Sequence, residues 1–349
     1  MGGRPASRST EPAMKADRTI WILPVLILLT ILAAFVGLRT GAYPLTLDAA
    51  LNALGQLWSG EMAQTPEARV LLDIRGPRVL AGLLVGAALA GAGVVYQGLF
   101  RNPLVSPDVL GVSAGAGLGA VIGIFLSLPA LMIQVLAFSV GLATVALVYL
   151  IAVAVRGRDP TLVLVLGGVV VGALAGAAIS LLKILADPYD QLPAITFWLL
   201  GSLASIRGTE LWNVLPAVLL GLLPMVLLRW QVNVLSLGDE EAKALGVEAG
   251  RLRAIIIAAA TLMTASVVAI AGVIGWVGLV IPHIARMLVG PNFERLLPSA
   301  MLIGASYLVL VDTLARSIAH IEVPLGILTA VVGAPFFLWL LWRGRHGWS

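Results

Sequence analysis

An all-α chain that crosses a membrane about ten times is the fold class this sequence predicts, and three observations predict it. Of its 349 residues, 60% are hydrophobic and 11% charged, with a mean hydropathy of +1.02. One soluble core cannot hide so much apolar side chain while its surface stays polar. Asp, Glu, Lys and Arg are absent from 109–155, 160–182, 191–206, 211–228, 254–285, 296–311 and 323–342. A bilayer-spanning helix takes about 20 apolar residues, so the longest runs each hold two helices. Finally, proline and glycine interrupt these blocks at "RNPLVSPDVLG" (101–111), "DPYDQLP" (187–193), "GVIGWVGLVIPHIAR" (272–286) and "EVPLG" (322–326). Such residues end helices and force turns. Irregular backbone at membrane depth survives only beside protein or a water-filled cavity, so the breaks suggest a pathway.

The chain divides into a cytoplasmic N-terminal tail at 1–18, one transmembrane domain at 19–345 and a cytoplasmic C-terminal tail at 346–349. Segment 19–38 follows Arg4, Arg8, Lys15 and Arg18 like a signal peptide. It is too long for that, and "ILAAFVGLRTG" offers no small-x-small cleavage site, so it is expected to be the first span. The second span is expected to begin near Pro77, a residue favoured in the first helical turn. It carries Gly82 and Gly86, and 160–182 carries Gly168, Gly172 and Gly176, all at four-residue spacing. In lipid, that spacing lets helices approach closely, and simple bundle packing accounts for most of these glycines. "GLFRNPL…VLGVSAGA" and "GLVIPHIARMLVG…LLPSAMLIGAS" share a pattern of glycine-rich span, proline turn and small-residue span. They form a weak inverted repeat of the kind found in transporters.

With the N-terminus inside, Arg4, Arg8, Lys15, Arg18, Arg101, Arg156, Arg158, Arg229, Lys243, Arg251, Arg253, Arg286, Arg295, Arg343 and Arg345 all fall in the cytoplasm. They make 15 of the 22 cationic residues, which supports this orientation. There is no cysteine, so disulfide and thiolate chemistry are excluded. No basic patch is interleaved with aromatics, which speaks against nucleic acid.

A transporter needs an energy source. Lys15, Lys183 and Lys243 are followed by Ala, Ile and Ala, so none belongs to a Gly-Lys-Ser/Thr phosphate loop. Lys183, Asp187, Asp312, Arg316 and Glu322 are the candidates for ion coupling, but they fall near outer helix ends rather than mid-membrane. Asp312 and Arg316, four apart, are placed to pair. His283, His320 and His346 lie on separate segments and make no metal motif. His283 follows Pro282 and is assigned a structural role in a helix break, with Arg286 anchoring the cytoplasmic end.

These exclusions leave energy supplied by a partner. "SLGDEEAKALGVEAG" (236–250) is the most hydrophilic stretch between the N-terminal tail and the C-terminus. Asp239 is expected to cap a short helix, with Glu240 and Glu241 in its first turn, Lys243 four residues on and a stop at Gly246. Two turns are not stable alone in water, so the helix needs a surface: its own bundle, or a groove on a cytoplasmic ATPase. Arg75 and Arg78 fall outside, against the charge bias and at the wrong end of a helix dipole. That suits either a partner's carboxylates or an arginine that keeps its head in water at the interface.

"RGPR" (75–78), "QGLFRNPLVSPDVLGVSAGAG" (97–117), "FWLLGSL" (197–203), "LSLGDEEAKALGV" (235–247), "GVIGWVGLVIPHIARMLVG" (272–290), "DTLAR" (312–316) and "EVPLGILTAVVGAPFF" (322–337) together resemble the FecCD family. These are permease subunits of ATP-binding cassette (ABC) importers for iron complexes and cobalamin. The resemblance implies a multi-pass inner-membrane homodimer without cofactor or catalytic residue. Its implied partners are two cytoplasmic ATPase subunits, an external substrate-binding protein and membrane lipid. Within 235–250 it makes Leu237, Gly238, Asp239, Glu240, Glu241, Ala242, Lys243, Leu245 and Gly246 the ATPase-coupling residues. Arg75, Arg78 and Arg316 would receive the binding protein, with Arg207 a weaker addition. Asn102, Pro103 and Leu104 would lie at the inner gate, Gly168, Gly172 and Gly176 along the pathway, and Trp198, Gly201 and Ser202 at the outer gate. Trp276 fits the family's aromatic residue before "VGL". By family frequency the cargo is a ferric siderophore, with heme, cobalamin and molybdate as alternatives and an ion-coupled secondary transporter as a further one.

Overall fold

The computed structural model describes residues 11–41, 43, 55, 65–155, 160–319 and 321–343. Arg4, Arg8, Arg156, Arg158, His320, Arg345 and His346 lie outside the described residues, as do 346–349. Among the described residues, thirteen helices are followed along the chain besides a 3-10 turn at Pro107–Leu110 and the isolated helical Gly55, and no strand occurs. They are α1 (Glu11–Arg39), α2 (Pro66–Leu99), α3 (Val112–Phe125), α4 (Ala130–Ala154), α5 (Pro160–Leu185) and α6 (Gln191–Leu200). Then come α7 (Gly208–Leu227), α8 (Arg229–Leu235), α9 (Asp239–Ala244), α10 (Ala249–Ala271), α11 (Val277–Val289), α12 (Phe293–Ala315) and α13 (Leu325–Arg343). Residues 11–18 are helical and run into the first span, whose apolar part is Trp21–Arg39.

Among the described residues, seven helices (α1, α2, α4, α5, α7, α10 and α12) are long and apolar enough to cross a membrane. The expected ten spans resolve into these and shorter apolar helices at α3, α6, α11 and α13. At 1.5 Å per residue, α3 and α11 measure about 20 Å, less than the ~30 Å hydrocarbon core. Each follows broken backbone, at 100–111 and at 272–276, within the proline and glycine breaks expected at 101–111 and 272–286. Pro282 was expected to mark the second break but lies inside α11, and His283 is therefore helical.

Helices α2 and α10 form the centre: 78% of the apolar window of each is buried, against 61% for α12 and 17% for α1 and α5. Helix α2 packs along α12, α10 and α11, while α3 packs on α4 and α5 and α10 on α7. Backbone meets backbone where α2 crosses its neighbours. A Cβ on Gly86 would run into the Gly304 carbonyl of α12, and one on Gly93 into that of Gly278 on α11. Gly168 likewise abuts the Val109 carbonyl, whereas a Cβ on Gly176 would meet nothing within 4 Å.

The start of α2 departs from expectation. Thr65 accepts a hydrogen bond from the Ala68 N–H and Pro66 opens the helix, so the start lies well before Pro77. A π-helical turn at Val70–Arg75 then widens the helix, and the Gly76 N–H reaches back to the Leu71 carbonyl. That wide turn sits directly before Pro77, which has no N–H to give, so the helix passes the proline without ending.

Candidate functional site

Near the start of α2, the three arginines expected to meet a partner have partners within the chain. Arg78 is buried, and its Nε and Nη2 donate to Asp312 of α12 at 2.9 to 3.0 Å. Its Nη1 donates to Glu322 Oε1 at 2.6 Å and its Nη2 to Glu322 Oε2 at 3.2 Å. Arg316 Nε lies 3.7 Å from Asp312 Oδ2, the pairing expected from their spacing, and its Nη2 donates to the Gly37 carbonyl. Arg75, also buried, donates to the carbonyls of Leu38 and Arg39 at 3.0 Å and of Tyr43 at 2.5 Å. Both α2 arginines therefore stand well inside a continuous helix, and the dipole argument for free cations there does not hold. Arg78 and Arg316 share Asp312 and Arg78 also holds Glu322, while Arg75 is held by carbonyls alone, so three guanidiniums stand beside two carboxylates and the cluster keeps a surplus positive charge. Arg207 is exposed at the start of α7, where its N–H donates to Glu210.

Trp198, Gly201 and Ser202 belong to a joint of three chain breaks. Helix α6 ends at Gly201 and α10 at Gly272, both with φ near +70° (+73° and +70°). The Ser202 N–H donates to the Ala271 carbonyl at 2.9 Å, and the Leu325 N–H at the start of α13 donates to the Gly201 carbonyl at 3.0 Å. A Cβ on Gly201 would stand 2.6 Å from the Val273 carbonyl oxygen, and one on Gly326 would stand 2.7 Å from that of Leu200. The joint therefore tolerates no side chain at either position.

About 19 residues along α2 from Arg78, roughly 28 Å at helical rise, lies the other end of the bundle. There Arg101 turns the chain with φ +48°, and Asn102 Oδ1 accepts the Leu104 N–H at 2.9 Å across Pro103. Leu104 is exposed. Nearby, α9 has six residues. Gly238, not Asp239, precedes it, and Asp239 pairs with Arg253 at 2.9 Å rather than with Lys243. Arg253 is held at the buried start of α10, so it draws the carboxylate away from a capping position. The stop is as expected. Gly246 has φ +77°, its N–H donates to the Lys243 carbonyl at 3.0 Å, and the Val247 N–H donates to that of Ala242 at 2.8 Å. Buried Ala242 and Val247 seat the helix on its own bundle, while Leu237, Glu240, Glu241, Lys243 and Leu245 are exposed.

The FecCD transport family matches residues 25–343. The chain belongs to that family. It is 42% identical to the molybdate import system permease MolB of Haemophilus influenzae, over 96% of this chain and 99% of that protein. It is 43% identical to a protein of Helicobacter pylori described as a probable iron chelatin transport permease, over 79% of this chain and 83% of the relative. Among solved structures it is similar to an ABC transporter of metal-chelate type in an inward-facing conformation, with a TM-score of 0.83, 40% identity and coverage of 92% and 99%. As a FecCD chain it is the permease subunit of an ABC importer and a multi-pass membrane protein.

Sequence reasoning missed two features of this FecCD permease. Arg286, expected to anchor a membrane edge, turns toward α2, where its Nη2 donates to Gln97 Oε1 at 3.3 Å; Gln97 in turn donates to the Leu279 carbonyl at 3.0 Å. Together with Arg101 and Asn233 they line a cavity of about 250 Å³ beside the approach to α9. Glu322, a candidate for ion coupling from its sequence position, is the second carboxylate partner of Arg78. Its place in "EVPLG", directly before a helix start, is the signal that would have drawn attention to that link.

Proposed function

We propose that this permease carries a metal across the inner membrane as a small anion, with molybdate the first cargo to test and a ferric chelate the second. The match to MolB along nearly the whole of both chains carries this choice. The ferric reading, the expectation from the sequence, is favoured by the iron chelatin relative and by the metal-chelate type of the similar structure.

The pathway runs between two copies of the chain along the exposed side of α5, where residues 160–182 hold no charge and Gly176 leaves open space. A neutral wall neither repels an anion nor holds it with a fixed cation, so tight binding falls to an external binding protein. That protein docks over the cluster of Arg75, Arg78 and Arg316, whose surplus positive charge suits an incoming carboxylate. Two cytoplasmic ATPase subunits engage α9 and its exposed leucines and glutamates, and Asn102–Leu104 forms the inner gate. The N- and C-termini lie in the cytoplasm.

The test is uptake by proteoliposomes containing the permease, its ATPase and its binding protein, with molybdate, ferric siderophore, heme and cobalamin as competing cargoes. ATP-dependent accumulation of molybdate is expected. Accumulation of only a ferric chelate moves the cargo to the second reading, and uptake that follows a proton gradient without the ATPase sinks the importer mechanism.

A further inference from the structure

We propose that Glu322 is a built-in stand-in for the docking carboxylate, displaced from Arg78 when the binding protein arrives, so that docking is transmitted to the joint at Gly201. The inference rests on the docking reading above.

Both two-point edges of the Arg78 guanidinium are occupied, and one Nη1 N–H is left over. Asp312 takes Nε and shares Nη2, and Glu322 takes Nη1 and the remaining share of Nη2. A third carboxylate can make a two-point contact with this guanidinium only by replacing one of the two. The Asp312 side chain is 3% exposed and is also held by Arg316, whereas that of Glu322 is 36% exposed and lies in the non-helical link between α12 and α13. Glu322 is therefore the replaceable partner. The three guanidiniums outnumber the two carboxylates, and this positive excess draws a carboxylate toward the cluster. A carboxylate arriving from outside takes the place of Glu322 without changing the charge of the cluster, and Glu322 moves out into water, where an ionised carboxylate is well solvated.

The release acts on something. Three residues beyond Glu322, the Leu325 N–H holds the Gly201 carbonyl, and two chain breaks meet at that point. The link is otherwise tied by the Val323 N–H on the Ala315 carbonyl at 3.2 Å. Freeing Glu322 removes the side-chain tether between this link and α2, and the start of α13 can then shift against the end of α6.

The experiment measures the affinity of the cargo-loaded binding protein for the permease–ATPase complex in nanodiscs. Glu322→Gln removes the internal competitor and is expected to tighten docking by roughly tenfold, while Glu322→Asp, which keeps the charge, stays near the parent value. Unchanged or weaker docking of Glu322→Gln overturns the exchange. Arg78→Gln is expected to weaken docking, and parent affinity should fall steeply with salt, a readout that needs no variant to fold. If both Arg78→Gln and added salt leave docking intact, the docking reading itself falls. If they weaken it while Glu322→Gln does nothing, only the exchange falls. Because the chain has no cysteine, spin labels at Ile321→Cys and Tyr189→Cys, both highly exposed, report the link against the start of α6. Their separation is expected to change on docking, and to be already changed in Glu322→Gln. A constant separation overturns transmission to the joint.

Discussion

Asp312 is the residue on which the arginine cluster depends. It accepts from Arg78 and stands 3.7 Å from Arg316, and it is almost wholly buried. Removing one partner of a buried ionic set leaves the others uncompensated, which costs about 3 to 5 kcal/mol. Asp312→Ala should therefore lower the thermal midpoint in detergent markedly more than Glu322→Gln, and equal shifts would contradict that ranking. Gly86 gives a second test. Its place against the Gly304 backbone leaves no route for relief, so Gly86→Leu should abolish assembly, whereas Gly176→Ala should fold normally. At this scale the sequence disclosed types but not pairings. The i, i+4 relation of Asp312 and Arg316 could be read from one helix, but nothing in local spacing brings Arg78 to Asp312 across 234 residues.

Helix α9 shows how far an element can be read and where reading stops. Its first-turn acids and its Gly246 stop follow from local chemistry, and they are present. The partner of Asp239 is not local: Arg253 sits at the start of the next helix and was positioned by tertiary packing. Glu240 and Glu241 are free of such ties and remain exposed between Leu237 and Leu245. Glu240→Arg with Glu241→Arg should reduce ATPase co-purification several-fold without altering the thermal midpoint, since neither side chain supports the bundle. Leu237→Asp should do the same. Retained co-purification in both would move the ATPase contact elsewhere on this surface. The short helices α3 and α11 mark the other limit: the uncharged runs located apolar chain and the proline and glycine clusters located the breaks at 100–111 and 272–276, but neither gave the length of helix that follows each break.

At the scale of the whole molecule, the burial gradient from α2 and α10 to α5 is the main guide. A helix with 17% of its apolar window buried, and with Leu166, Val170 and Leu174 exposed on it, faces lipid or another copy of the chain. The proposed homodimer makes this testable: Leu174→Cys in the cysteine-free chain should give a covalent dimer on mild oxidation in membranes, and Leu28→Cys on α1 should not. The reverse pattern would place the dimer contact on α1. Composition disclosed that the chain spans a membrane and motif combination disclosed its family, because both are summed over many residues. Cargo was not legible, since no single side chain in the apolar runs carries a distinctive chemistry.

The joint among α6, α10 and α13 is held by main-chain groups: Ser202 on Ala271, Leu325 on Gly201, and glycines wherever two strands of chain touch. A connection written in peptide groups has almost no side chains to mutate. Changes of side chain in the surrounding walls therefore leave these hydrogen bonds in place.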